Sequence, residues 1–283
     1  MLTTYPYSQI DIGVYEINEF DGASMFLIEG NERALLIDTG VGIGALDKFL
    51  HQLTALPVDV LLTHNHRDHV GNAPRFRSVY MGAEDVQMGP ILRELTTRES
   101  RLQFAHHTLE MHPDGAYPWT DADIGALTQE PTVIPIGDGF TFDLGGRSVH
   151  CVSTPGHTPG SLSAIDSQTG ILFCGDACNG TLGLGVRPFA GGKHATMAQS
   201  YTALKRLAQI SFDHTRIFNG HSDYRTQGMP LPVSTFPAIL ETMEMVLSGQ
   251  YISYSKHIAS INADVEIVHH NGIELQFHSD LIR

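Results

Sequence analysis

Apolar and polar positions alternate with short periods at the start of the chain and with longer ones further on. Ile10–Ile17 is rich in β-branched and aromatic residues with imperfect alternation, the pattern of a strand. Ser24–Glu29 and Arg33–Asp38 are two further strands joined by the turn Gly30-Asn31-Glu32. Ala34-Leu35-Leu36-Ile37 is unbroken apolar sequence, as expected of a strand covered on both faces. The glycine-rich stretch Gly40–Gly44 reads as a loop, after which Leu46, Phe49, Leu50 and Leu53 recur at helical spacing until Pro57. Val58–Thr63 is the next buried strand and Ser78–Met81 another.

The texture then changes. Residues 84–131 carry charges at helical spacing, such as Glu94 and Arg98, followed by Pro113, Pro118 and the single tryptophan, Trp119. This segment reads as a largely helical excursion and lid over a pocket. From Val133 to Ala177 the pattern returns to strands and turns. Met197, Tyr201, Leu204 and Ala208 mark one helix; Ile239, Met243, Val246 and Leu247 mark another, with Gly249 past its end. Val265–Val268 and Ile273–Phe277 flank Asn271-Gly272, the signature of a hairpin. No internal repeat or linker divides residues 1–283, so the expectation is one α/β domain.

Composition narrows the function classes. A formal charge of −14 argues against nucleic acid and against anionic membrane surfaces as partners. No apolar stretch reaches the length of a membrane span, and no signal peptide is visible at Met1. Three cysteines are too few for a disulfide scaffold, which makes a reduced, cytoplasmic setting the expectation. A small-molecule substrate is the expected partner; the oligomeric state is left open, a homodimer included. The unusual count is 16 histidines.

Their placement carries the chemistry. The segment Thr63-His64-Asn65-His66-Arg67-Asp68-His69 puts three imidazoles and a carboxylate directly after a buried strand. At strand spacing His64 and His66 share a side; a turn into helix swings Asp68 and His69 to a second position. Such a segment serves two adjacent metal ions, and imidazole with carboxylate suits zinc, iron or manganese rather than calcium or magnesium. Three more strand ends offer a donor each: His157 in Thr154–Ser161, Asp176 after Cys174, and His221 after Asn219-Gly220. In layered α/β folds such strand ends gather into one site.

On these motifs, together with Leu35–Gly40, the chain resembles the metallo-β-lactamase-fold hydrolases in order and spacing over about residues 10–225. The resemblance implies a four-layer αββα sandwich of two mixed sheets flanked by helices. It implies one metal at His64, His66 and His157, a second at Asp68, His69 and His221, and Asp176 bridging them. Asp38 matches the family's aspartate that orients a ligand imidazole. The chemistry implied is hydrolysis by a metal-bridging hydroxide, with Asp68 as the catalytic carboxylate. Two divalent ions, zinc first with iron or manganese as alternatives, are the implied cofactors.

No Gly-x-Ser-x-Gly elbow competes as a serine nucleophile. Asp176 moves the resemblance away from true β-lactamases, towards glyoxalase II, lactonases and phosphoesterases, hence a small ester, thioester, lactone or phosphate ester. Asn179 stands where quorum-quenching lactonases carry a tyrosine, a departure from that branch. An iron-dependent oxidoreductase or dioxygenase on the same fold is the alternative. Arg187 and Lys193, in the glycine-rich loop Gly180–His194, are candidate substrate contacts.

Overall fold

The computed structural model describes residues 1–87, 96–113, 115–127, 129–185, 194–258 and 263–283. The first seven strands, β1 (Tyr7–Asp11), β2 (Val14–Asn18), β3 (Ser24–Glu29), β4 (Ala34–Ile37), β5 (Val58–Leu62), β6 (Ser78–Gly82) and β7 (Thr132–Ile136), form one sheet in chain order. β1 to β4 are antiparallel and β4 to β7 parallel. A second sheet holds β8 (Thr141–Asp143), β9 (Ser148–Ser153), β10 (Leu162–Asp166), β11 (Leu172–Phe173) and β13 (Ile217–Phe218), in the order β13-β11-β10-β9-β8.

The apolar runs explain the layering. In β4, Leu35 and Ile37 face Phe142, Val149, Leu162 and Phe173 of the second sheet. Ala34 and Leu36 face the other way, onto Leu46, Phe49 and Leu50 of the helix Leu46–Leu53. The second sheet is likewise covered on its outer side, where Val152, Ile165 and Leu172 meet Leu204 of the helix Met197–Leu207 and Ile239 and Met243 of the helix Thr235–Leu247. Helix, sheet, sheet and helix stack as the four layers expected from the sequence.

Two expectations differ from the structure. The single strand read over Ile10–Ile17 is two, β1 and β2, because Gly13 adopts φ +64 and turns the chain back. Thr181–Leu184, read as part of a loop, is a strand, β12. It pairs in parallel with β16 (Ile273–Phe277), which pairs with β15 (Ala263–His270) and then β14 (Tyr254–Ile258), giving a third, four-stranded sheet. A strand alternating with glycine gives no periodic signal, and its partner lies some ninety residues away along the chain, about the reach that single-sequence reading misses. The hairpin at Asn271-Gly272 forms as its residues require, both with positive φ. In the segment 84–131, the described residues include the helix Arg98–Met111, capped by the Thr97 hydroxyl. Glu94, Arg187 and Lys193 lie outside the described residues.

Candidate functional site

β4 and β5 end side by side, and the site is built on those ends. Asp38 leaves β4 at φ 62, which turns its carboxylate beneath the next loop. That carboxylate accepts from the Thr63 N–H (2.7 Å), the Thr63 hydroxyl (2.8 Å) and His69 Nδ1–H (2.9 Å). Thr63 Oγ1 in turn accepts from His64 Nδ1, 3.0 Å away. His66 then caps the single helical turn Arg67–Val70, which brings Asp68 and His69 inward. Gly71 closes the loop: its N–H donates to Gly40 O at 2.6 Å, and a Cβ there would lie 1.9 Å from Val41 O.

The remaining donors arrive from the second sheet. His157 sits on a tight loop after β9, with Nδ1 donating to Gly183 O of β12 at 3.0 Å. The third sheet therefore sets the orientation of this imidazole. Asp176 follows β11 on one 3-10 turn, and His221 follows β13. Gly220 is needed before His221, since a Cβ would meet Asp176 Oδ1 and His69 Cε1 at 2.7 Å each.

All seven candidate donors named from the sequence are brought together. His64 Nε2, His66 Nδ1 and His157 Nε2 form one set, with 3.0 and 2.8 Å between neighbours. Asp68, His69 and His221 form a second, with Asp68 Oδ2 3.7 Å from His69 Nε2 and 3.6 Å from His221 Nε2. Asp176 lies between them: Oδ2 is 3.4 Å from His157 Nε2 and 3.2 Å from His221 Nε2, while Oδ1 is 3.5 Å from His69 Nε2. Two donors bound to one tetrahedral zinc ion at about 2.1 Å stand roughly 3.4 Å apart. The observed separations scatter around that edge length.

Two further observations fit the cluster to cations. His69 Nε2 and Asp176 Oδ1 are buried and make no hydrogen bond, which for groups this polar requires explanation. The electrostatics point the same way. Burial opposes charge on His221 and His69, yet Asp176, with Asp68, raises both imidazoles, His221 to about 9. Burial also opposes the Asp176 carboxylate, but His221 and His69 outweigh it and hold it well below the usual range. Burial, then the neighbouring His69, pushes His64 well below the ordinary histidine value, so its ring is neutral. With Nδ1–H donating to Thr63, its Nε2 lone pair faces the cluster.

A cavity of about 570 Å³ includes Ser222, the residue after His221, in its lining and none of the seven donors. Asn18 at the end of β2, Phe20 and Asp21 of the β2–β3 turn, and Gly115–Pro118 from the segment read as a lid are among its other lining residues. The Tyr224 ring stands 6.4 Å from that of His221. His106 and His107 are exposed and pair with Asp121 and Glu110, apart from the cluster. Cys174 and Cys178 are buried packing residues.

Sequence reading missed Asp85, whose buried carboxylate joins the His64–His66 loop to the His157 loop. It accepts from the Asn65 N–H (2.9 Å), the Thr158 hydroxyl (2.8 Å) and the Gly160 N–H (2.7 Å). Nothing in the local sequence marks it, because its partners lie 20 and 75 residues away.

Comparison with known proteins agrees with this architecture. A hydroxyacylglutathione hydrolase of Xylella fastidiosa (strain M23) is 28% identical over 195 residues, 69% of this chain and 57% of that protein. The chain thus spans little more than half the length of that relative. The acyl-coenzyme A thioesterase MBLAC2 of Homo sapiens is 26% identical over 195 residues, 62% of this chain and 67% of that protein. Among solved structures, a metallo-beta-lactamase family protein from Thermus thermophilus superposes with TM-score 0.57 at 21% identity, covering 85% of this chain and 82% of that one, a likeness of fold. Residues 18–221 match the profile of the Metallo-beta-lactamase superfamily, and with most of its length so matched, the chain belongs to that superfamily.

Proposed function

We propose that the chain is a dinuclear metal-dependent hydrolase of a small ester or thioester. The observation that carries this reading is the convergence of seven buried or half-buried donors into two sets with Asp176 between them. His64, His66 and His157 would hold one divalent cation, Asp68, His69 and His221 the other, and Asp176 would be shared. When bound, such a pair supplies Lewis acidity and lowers the pKa of water towards neutrality. The chain's own residues prepare the rest. Asp38 and Gly183 O fix the tautomers of His69 and His157, so that both Nε2 atoms face the cluster. Asp68, whose Oδ2 lies beside His69 and His221, would carry a proton towards a leaving group through its other carboxylate oxygen. A small substrate would extend from the donors past Ser222 into the cavity beside the β2–β3 turn. Similarity to a hydroxyacylglutathione hydrolase and an acyl-coenzyme A thioesterase supports thioesters and esters ahead of lactones and phosphate esters.

The test is acid release in weak buffer from esters, thioesters, lactones, phosphoesters and a β-lactam, with zinc- or manganese-loaded protein and a chelator-treated control. Chelator-sensitive release from an ester or thioester is the expected result. No release from any of them, together with oxygen uptake by iron-loaded protein, would replace hydrolysis with redox chemistry.

A further inference from the structure

The turn between β2 and β3 has a backbone that its residues do not favour. The Gly22 N–H donates to Glu19 O at 2.9 Å, and the two central residues, Phe20 and Asp21, have φ of 52 and 64. Positive φ at both centres is the signature of a type I′ turn, whose usual occupants are Asn-Gly. For a residue as bulky as Phe it is an outlier, and such strain persists only where the surroundings over-determine it. They do so here. The buried Glu19 carboxylate takes the N–H groups of Val41, Gly42 and Ile43, the latter two at 2.9 and 2.8 Å. The Asp21 N–H donates to Asn18 Oδ1 at 2.9 Å, and Asn18 Nδ2 donates to Ser222 Oγ at 2.5 Å. The Phe20 ring packs on Tyr5 (centroids 5.7 Å apart) and edge-on to Tyr117 (6.4 Å). Tyr117 OH donates to Asp21 Oδ2 at 2.5 Å, tying the segment 115–118 to the turn.

The strained pair lies in the wall of the cavity that Ser222, the residue after His221, also lines. Tyr5, Pro6, Phe20, Tyr117 and Pro118 give that wall its apolar surface. Among the described lining residues, the charged side chains are Asp21 and Arg225. Arg225 is committed elsewhere: its side chain is buried, 2.8 Å from Glu16, and donates to Asn219 Oδ1 (2.9 Å) and Asn219 O (3.0 Å). An anionic group entering the cavity would meet the Asp21 carboxylate with no uncommitted described cation in the lining.

We propose that the Phe20–Asp21 turn and Tyr117 form a substrate subsite that accepts an uncharged, largely apolar group and rejects an anionic one. The inference rests on the hydrolase reading and deepens it. Thioesters whose carrier is strongly anionic would be poor substrates, however similar the metal cluster is to that of enzymes acting on them.

The experiment uses metal-loaded protein and three matched thioesters: butyryl-N-acetylcysteamine, its succinyl counterpart with an anion on the acyl side, and butyryl-3-mercaptopropionate with an anion on the thiol side. In the wild type, kcat/KM for the neutral compound should exceed that of at least one anionic compound by about tenfold, the scale of one partly screened charge contact. Asp21→Asn should reduce that ratio to about threefold or less. Asn tolerates positive φ and keeps an acceptor for Tyr117 OH, so the turn should survive. Equal turnover of all three by the wild type, or a preference unchanged in Asp21→Asn, would overturn the subsite. If no thioester is cleaved, the hydrolase reading fails for this class, and the subsite is judged by binding alone. Trp119, next to Pro118 and the single tryptophan, then reports titration with the neutral compound. A fluorescence change in the wild type that is lost in Phe20→Gly supports the subsite; no change in the wild type, or the same change in Phe20→Gly, overturns it.

Discussion

Replacing Asp85 by Asn tests how the two loops bearing His66 and His157 are held together. The side chain is fully buried, and its two oxygens serve three donors on both loops: Gly160 N–H on Oδ1, and Asn65 N–H and the Thr158 hydroxyl on Oδ2. An amide keeps one acceptor oxygen and turns an NH2 towards a backbone N–H on the other side. Against the carboxylate, the form present above about pH 6, one buried donor is then orphaned, a loss of about 1–3 kcal/mol offset by no longer burying a charge. The pH dependence gives a second signature. Burial raises the Asp85 carboxyl from 3.8 to about 6, against the three hydrogen bonds that lower it. Because the folded-state value lies above the ordinary one, the folded protein retains this proton through the window between them. The carboxyl's contribution is therefore complete below about 4 and is lost as pH rises through about 6. Asn has no such dependence. Going from pH 5 to pH 7 crosses roughly one pH unit of that window, worth about 1.4 kcal/mol. Urea unfolding of chelator-treated protein should show the stability of wild type relative to Asp85→Asn falling by about 1 kcal/mol from pH 5 to pH 7. A difference that stays constant within about 0.5 kcal/mol, or that moves in favour of wild type as pH rises, would contradict a raised Asp85 carboxyl.

Asp176→Ala should lower metal content by elemental analysis and abolish chelator-sensitive acid release; full metal content would remove Asp176 from the shared position. Arg147→Ala breaks a buried pair with Asp166 (2.6 Å) and should lower stability by about 3–5 kcal/mol in denaturant unfolding, whereas Arg147→Met with Asp166→Leu should recover much of the loss. Gly71→Ala places a Cβ 1.9 Å from Val41 O, backbone against backbone, and should lower stability by about 3 kcal/mol or more. A near-native unfolding midpoint in Gly71→Ala would mean the metal-motif loop can yield.

The donor cluster was legible because its residues sit next to strong local signals. His64 to His69 follow an apolar strand, and His157, Asp176 and His221 each stand at a strand end beside glycine or proline. β4, apolar on both faces, was legible as a buried strand in the same way, while the sandwich was implied by the resemblance. What stayed hidden depends on distant pairing. β12 exists because β16 lies alongside it, and Asp85 matters because Asn65 and Gly160 reach it from either side. The left-handed pair of the β2–β3 turn is Phe20 and Asp21, and nothing local to Phe20 marks it. Glu19, anchored on Val41–Ile43, sets that register, a contact across more than twenty residues.

The proposed function requires two cations, held by separate donor sets, to act together. The most direct measurement is acid release from a cleaved ester or thioester as chelator-stripped protein is titrated with zinc, the bound metal being counted in parallel. With two donor sets sharing Asp176, the rate should continue to rise until two equivalents are bound per chain. His157→Ala, which opens only the first set, should still bind the equivalent held by Asp68, His69 and His221. Full turnover at one bound equivalent, or loss of both equivalents together in His157→Ala, would contradict it.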